Sequence, residues 1–336
     1  MGEAPERAKS FRDTARDIGR RFSRHENGVL AIVLIVLIAI MAVVSKGLTL
    51  SRVNITNTLL QSSMRGVASV GQAFVILTAG IDLSVAGVGL MSAILGTTMM
   101  TPKLWQNIVG YSMSPLVVIP IMILAGAGWG VVNGFAVSRM RMPPLIVTLA
   151  MWQVSWAVAY FISRGGSIRL KPEQLGFIGM GSIAGVPVPV IIFIVVAVIA
   201  YFILNHTIFG QSTYAVGGNP LSAWLSGIKV RRIILSVYVI SGVLAGLTGV
   251  ISAARNVAAT MRSLGGLELD TIGAVCVGGV SLAGGKGNMI GVVIGVIIIG
   301  VINNAMNVLA AGPAVVAIVK GAVIFTAVAV DYIRRR

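Results

Sequence analysis

Cysteine and histidine are nearly absent from this chain, which has one cysteine, Cys276, and two histidines, His25 and His206. A single cysteine excludes an intrachain disulfide, and so few residues of these types cannot form the spaced ligand sets of zinc sites. We therefore expect neither a redox site nor a bound metal, and no cofactor held by this chain.

Charged residues are also scarce, at 11% of the chain against about 25% in soluble domains, whereas apolar residues make up 56%. This composition excludes an ordinary water-soluble fold. Acidic residues are the scarcer sign, with 10 Asp and Glu against 26 Lys and Arg. In a soluble protein this excess would indicate a nucleic-acid partner. Here the basic residues cluster at both ends of the chain, beside apolar runs, so we expect a membrane and no nucleic acid.

Catalytic signatures are missing as well. The stretch around Lys286 is rich in glycine, but a P-loop would need Gly in place of Val280 and Ser or Thr in place of Gly287. The patterns H-E-x-x-H, G-x-S-x-G and G-x-G-x-x-G do not occur in the sequence. We predict no catalytic residue and no enzyme, so the function lies in passage or signalling across a membrane.

Long apolar runs are what the chain has in abundance. Residues 28–45 carry no charge, and about 20 apolar residues cross a hydrocarbon core about 30 Å thick. We predict an all-α polytopic membrane protein with about ten transmembrane helices, one of them, 269–282, short or re-entrant. The predicted spans are 28–46, 54–79, 84–101, 116–138, 144–163, 188–206, 232–253, 269–282, 288–309 and 314–333.

An even number of spans places both termini on one side of the membrane. The predicted inner connections carry about twice as many Lys and Arg as the outer ones, which marks that side as cytoplasmic. We therefore predict a multi-pass plasma-membrane protein with a basic cytoplasmic segment 1–27, a membrane domain 28–333 with a cytoplasmic loop 207–231, and a cytoplasmic tail 334–336.

Few polar side chains lie in or beside the predicted spans. Asp82 precedes the third span, where its carboxylate would accept backbone N–H groups at the helix start or form an ion or proton site. Arg65 and Lys320 are intramembrane charges for which the sequence indicates no partner. The amides that suit a path for an uncharged polar solute, or equally interhelical hydrogen bonds, are Asn133, Gln153, Asn303, Asn304 and Asn307.

Glycines recur at a spacing of four residues inside three spans. Small residues at this spacing share one helix face and let two helix backbones approach closely, so we predict tight helix packing there. These glycines are Gly126, Gly130 and Gly134, Gly242 and Gly246, and Gly291 and Gly295.

The loop after the sixth span contains a predicted short helix from Pro220 to Gly227, with Asn219 as its cap and proline at its first position. Such a helix lies outside the membrane and would expose the apolar side chains of Leu221 and Trp224. It would therefore bind a partner protein or lie in the headgroup interface.

Several collinear motifs resemble those of the ribose-type permeases, the membrane subunits of bacterial ABC sugar importers. The residues AGIDLSV, from Ala79 to Val85, resemble the G-G-I-D-L-S-V motif of that family around Gly80, Asp82 and Ser84. The resemblance covers nearly everything after about residue 50. Further matches, in the same order, are Val132–Gly134, Pro143–Leu149, Tyr214–Ile228 and Gly273–Asn304.

The resemblance implies a permease of the bacterial inner membrane that imports a sugar or sugar-like solute by alternating access. Its implied partners are a cytoplasmic ABC ATPase subunit that binds the ATP, a second permease copy, identical or not, and an extracytoplasmic solute-binding protein. In that family the loop after the sixth span, here the coupling loop, docks into the ATPase through a pattern like E-A-A-x-x-x-G. Carried over, this pattern falls on Leu221, Ser222, Ala223 and Gly227, with Leu221 in place of the acid and Ser222 in place of an alanine.

The sequence also fits two alternatives. One is an ABC permease of related design for branched-chain amino acids or nucleosides. The other is an ion-coupled secondary transporter, in which Asp82 would be the ion site.

Overall fold

The computed structural model describes residues 26–101 and 111–334, and in this part of the chain thirteen α-helices form. The predicted basic segment 1–27 and tail 334–336 lie almost wholly outside this range. The helices are α1 (Glu26–Val44), α2 (Arg52–Leu77), α3 (Val85–Met100), α4 (Pro115–Ser138), α5 (Pro144–Ser163), α6 (Pro172–Met180), α7 (Val188–His206), α8 (Ile208–Gly218), α9 (Pro220–Leu225), α10 (Val230–Asn256), α11 (Leu267–Val277), α12 (Met289–Val308) and α13 (Pro313–Arg334).

Strands are confined to two short antiparallel pairs among the described residues. Strand β1 (Ile168–Arg169) pairs with β4 (Ala258–Ala259), with Ile168 opposite Ala259. Strand β2 (Ser182–Ile183) pairs with β3 (Val186–Pro187). A single 3₁₀ turn, Leu48–Leu50, separates α1 from α2. The protein is an all-α membrane protein, as the sequence predicted.

Each predicted span corresponds to a helix. Seven of the described helices are long and apolar enough to cross a membrane, namely α1, α4, α5, α7, α10, α12 and α13. Helix α3 has 16 residues and α11 only 11, which agrees with the expected short element at 269–282, whereas α2 has 26 residues but is more polar. The number of ten crossings therefore stays a prediction.

The predicted glycine faces pack helix against helix. A Cβ on Gly126 would overlap the carbonyl of Gly242, and one on Gly130 would overlap the carbonyl of Tyr238, so α4 and α10 touch backbone to backbone. A Cβ on Gly295 would likewise overlap the carbonyl of Ala274, which sets α12 against α11. The prediction of close helix contacts at these glycines is confirmed.

Helix α2 occupies the centre of the bundle through its C-terminal half, where every residue from Gly66 to Leu77 is buried. It packs there against α7, α10, α11 and α12. The N-terminal half of α2 is more open, with residues 51–61 half-buried or exposed.

Connections collect at two opposite ends of the bundle. At one end the amide of Gly285 donates to the carbonyl of Leu77 at 2.9 Å, and the hydroxyl of Tyr214 donates to the carbonyl of Gly287 at 3.0 Å. The loops 78–84 and 278–288 and helix α8 therefore meet, together with the adjoining α9. At the other end β1 pairs with β4, and Gln174 Nε2 donates to the carbonyl of Met100 at 2.7 Å.

Candidate functional site

Asp82 lies in the loop between α2 and α3 and is buried. Its Oδ1 accepts hydrogen bonds from the Ser84 amide at 2.9 Å and the Ser84 hydroxyl at 2.6 Å, and its Oδ2 accepts one from the Ser241 hydroxyl at 2.7 Å. The predicted bond to a backbone N–H at the start of the third span is therefore present. Asp82 also ties that start to α10, a link that the sequence did not indicate.

Further contacts surround this carboxylate. Asn133 Nδ2 donates to the Ser84 hydroxyl at 2.8 Å, and the Tyr238 hydroxyl donates to the carbonyl of Ile81 at 3.3 Å. The amide of Gln72, oriented to satisfy both of its ends, pairs with the backbone N–H and carbonyl of Asp82. Burial raises the pKa of Asp82, and the hydrogen bonds from Ser84 and Ser241 oppose that rise. This arrangement fixes a loop between helices.

Helix α9 projects from the same end of the bundle. Asn219 Oδ1 accepts from the amides of Leu221 and Ser222, both at 3.0 Å, and Gly227 closes the far end with φ +84°. Proline at the first helical position and a glycine in the left-handed region after the last are the reasons that six residues form a defined helix here. The predicted helix and its cap are confirmed.

The large apolar side chains of α9 point outward. Ala223 is 4% exposed and anchors the helix, whereas Trp224 is 63% exposed and Leu221 and Leu225 are as open. A groove of about 1060 Å³ lies beside α9, between it, the start of α10 and the α4–α5 connection. Its basic lining residues are Arg139, Arg141, Lys229, Arg231 and Arg232. Exposed apolar side chains on a short helix beside a cationic groove form a contact surface for a protein or for lipid headgroups.

The five amides predicted for a solute path are not brought together. Asn303 and Asn304 are buried in α12 and Asn307 is exposed on it, whereas Asn133 is buried beside Ser84 and Gln153 is exposed on α5. Helix α5 packs against α3 and α4, and α12 against α1, α2, α7 and α11. A role for these amides in a passage stays a prediction.

Sequence reasoning missed Asp270, which is the partner of both Arg65 and Lys320. Arg65 Nε lies 2.9 Å from Asp270 Oδ2, and Lys320 Nζ lies 2.8 Å from Oδ1. The charged cluster of Arg65, Asp270 and Lys320 thus joins α2, α11 and α13. The available signal was an acidic residue inside the short apolar element 269–282.

Known proteins resemble this chain over most of its length. A profile of the family described as branched-chain amino acid transport system / permease component matches residues 54–328. The chain is 38% identical over 304 residues to the ribose import permease protein RbsC of Escherichia coli K12, with 89% of this chain and 92% of the relative covered. It is 37% identical over 303 residues to the D-allose transport system permease protein AlsC of the same strain, with 89% of each covered.

A third relative comes from a different bacterium. The chain is 35% identical over 282 residues to the L-arabinose ABC transporter permease protein AraH of Azospirillum brasilense, with 84% of this chain and 80% of the relative covered. No solved structure matches.

Proposed function

The chain belongs to the family of branched-chain amino acid transport system permease components. We propose that it is the membrane-spanning permease subunit of an ABC importer for a sugar or sugar-like solute. One observation carries this proposal, the 38% identity to a ribose permease over 92% of that relative. Arg65 and Lys320 pair with Asp270, and the carboxylate of Asp82 is hydrogen-bonded, which suits an uncharged solute.

In this proposal the chain is a transport subunit, and the free energy for transport comes from ATP hydrolysis in another subunit. ATP is bound and hydrolysed by a separate cytoplasmic subunit, a second permease copy completes the membrane unit, and an extracytoplasmic binding protein delivers the solute. The end of the bundle that carries α9 faces the cytoplasm, as the distribution of Lys and Arg predicts.

Helix α9 is the contact with the ATPase. Leu221 and Trp224 offer exposed apolar surface to a cleft, Ser222 lies exposed between them, Ala223 seats the helix on the bundle, and Gly227 sets its end. The cationic groove beside α9 complements an acidic surface on the partner. Leu221 in place of the family's acid would restrict which ATPase is accepted.

A movement of α9 reaches the membrane helices through α8. Gly217, near the end of α8, has no room for a Cβ because the Leu77 carbonyl and the Gly285 amide lie against it. Leu77 ends α2, and Gly285 belongs to the loop before α12. A displacement of α9 is therefore transmitted through close backbone contacts to α2 and α12. Alternating access requires such rigid coupling between the docking helix and the membrane helices.

Uptake in the source cells tests the solute class. A strain lacking this chain should take up labelled D-ribose at least tenfold more slowly than the same strain with the chain restored, with labelled L-leucine uptake unchanged. Loss of L-leucine uptake alone would instead support the branched-chain amino acid alternative, which the family description favours.

A further inference from the structure

The N-terminal half of α2 carries a polar stripe, Asn54, Asn57, Thr58, Gln61 and Arg65. At 3.6 residues per turn these side chains fall within an arc of about 100°. The stripe begins at the end of the bundle opposite α9 and stops midway along α2, where the fully buried half of the helix begins.

Polar groups on three neighbouring helices extend the stripe. Asn54 exchanges two hydrogen bonds of 2.9 Å with Asn304 of α12. At its inner end Arg65 meets Asp270 of α11 and, through it, Lys320 of α13. The charged cluster is not sealed, since the side chain of Arg65 is 18% exposed and that of Lys320 28%.

Two polar atoms at or beside the cluster have unused hydrogen-bonding capacity. Within the described ranges Arg65 Nη1 and the Oε2 of Glu268, two residues before Asp270 in α11, are buried and make no hydrogen bond. Leaving a buried polar group unsatisfied costs about 1–3 kcal/mol, so this pair indicates a site that receives hydrogen-bonding groups from outside.

The exposed side of the polar stripe and the charged cluster does not face lipid. A charged side chain near the centre of a bilayer costs about 2.5–3.5 kcal/mol, and such residues face the bundle interior or water. The opposite face of α2 carries Ile55 and Leu59, which do suit hydrocarbon. The polar stripe therefore faces water or a protein surface that holds water.

We propose that the polar stripe lines a water-filled passage from the outer end of the bundle to mid-membrane, and that the charged cluster at its inner end binds hydroxyl groups of the solute. A carboxylate accepts hydrogen bonds from two adjacent hydroxyls, while a guanidinium and an ammonium donate to their oxygens. Such charge-assisted bonds are about twice as strong as neutral ones. The passage stands on the geometry alone, and the hydroxyl ligand rests on the proposed sugar function.

Cysteine accessibility tests the passage. In a Cys276→Ala background, Gln61→Cys and Leu59→Cys place thiols two residues apart on opposite faces of α2. Opened membrane vesicles are treated with a trimethylammonium methanethiosulfonate, which needs water to react. Gln61→Cys should react at least tenfold faster than Leu59→Cys. Equal or slower reaction at Gln61→Cys overturns the passage.

Charge exchange tests the solute contact, with labelled D-ribose as probe and the complete transporter in cells. Asp270→Asn should lower uptake at least tenfold. Asp270→Lys combined with Lys320→Asp restores an ion pair between α11 and α13 but sets a second cation beside Arg65 and changes the atoms presented to the solute, so it should not recover uptake. Recovery by the exchanged pair would mean that the cluster only holds helices together, and it overturns the contact. Absence of D-ribose uptake in the unmodified strain would count against the proposed function, while the thiol test of the passage needs no solute.

Discussion

Asp82 is held by hydrogen bonds whose donors come from the start of α3 and from α10, and its backbone is bonded by Gln72 of α2. Each carboxylate oxygen already has a partner, which favours a structural role over an ion site. Asparagine keeps one acceptor oxygen in place, whereas leucine leaves the Ser84 amide without an acceptor. Losing a buried acceptor costs about 1–3 kcal/mol for each donor left unsatisfied.

We therefore expect Asp82→Asn to transport at close to the parent rate with a modestly lower melting temperature, and Asp82→Leu to be strongly destabilised. Melting in detergent and uptake in cells measure the two effects separately. Asp82→Asn that melts like the parent yet no longer transports would identify an ion or proton site.

At the scale of elements, the contact between α4 and α10 depends on glycines that leave no space for a side chain. Gly130 abuts the Tyr238 carbonyl, whereas Gly128, two residues earlier in α4, has open space around its Cα. Gly130→Leu should destabilise the bundle by about 1–3 kcal/mol or more through overpacking, and Gly128→Leu should not. Comparable melting temperatures for the two variants would contradict the backbone contact.

Helix α9 allows a matched test of docking, because Gly227 has both a left-handed backbone and an exposed position. Asparagine tolerates that backbone better than most residues, so Gly227→Asn should retain the ATPase in a pull-down. Gly227→Arg adds bulk, charge and backbone strain, and we expect at least a tenfold loss of retained ATPase with normal membrane insertion. Full retention by Gly227→Arg would remove α9 from the interface.

At the scale of the whole molecule, the two ends of the bundle can be assigned to sides of the membrane. In a Cys276→Ala background, Ser222→Cys lies on the α9 end and Ser182→Cys on the opposite end, and both positions are exposed. An impermeant maleimide should label Ser182→Cys in intact cells and Ser222→Cys only after permeabilisation. The reverse pattern would invert the proposed orientation.

The parts of the fold that sequence predicted are those that depend on neighbouring residues. Asn219, Pro220 and Gly227 define α9 within nine positions, and apolar runs define the spans. The charged cluster could not be predicted, because Asp270 lies 205 residues from Arg65 and 50 from Lys320. Thr207 marks the start of α8 as its N-cap, but no local signal indicates that this helix lies between α2 and the loop before α12.

The same distinction applies to the candidate site. Asn133 was predicted for a solute path or equally for interhelical hydrogen bonds, because an amide offers donors and an acceptor without a net charge, but its place beside Ser84 depends on how α3 meets α4. Gln61 and Arg65 lie in the first half of the second predicted span. The passage proposed for their face of α2 could be inferred only once α11 and α12 were placed against α2 and α13 against α11.

In the proposed function this chain is driven by ATP hydrolysis in another subunit. The most direct measurement is D-ribose uptake into liposomes that hold the purified permease, with and without its ATPase and binding protein. We predict uptake only when both partners and ATP are present, and none when the permease alone is given a proton or sodium gradient. Gradient-driven uptake by the permease alone would contradict the account.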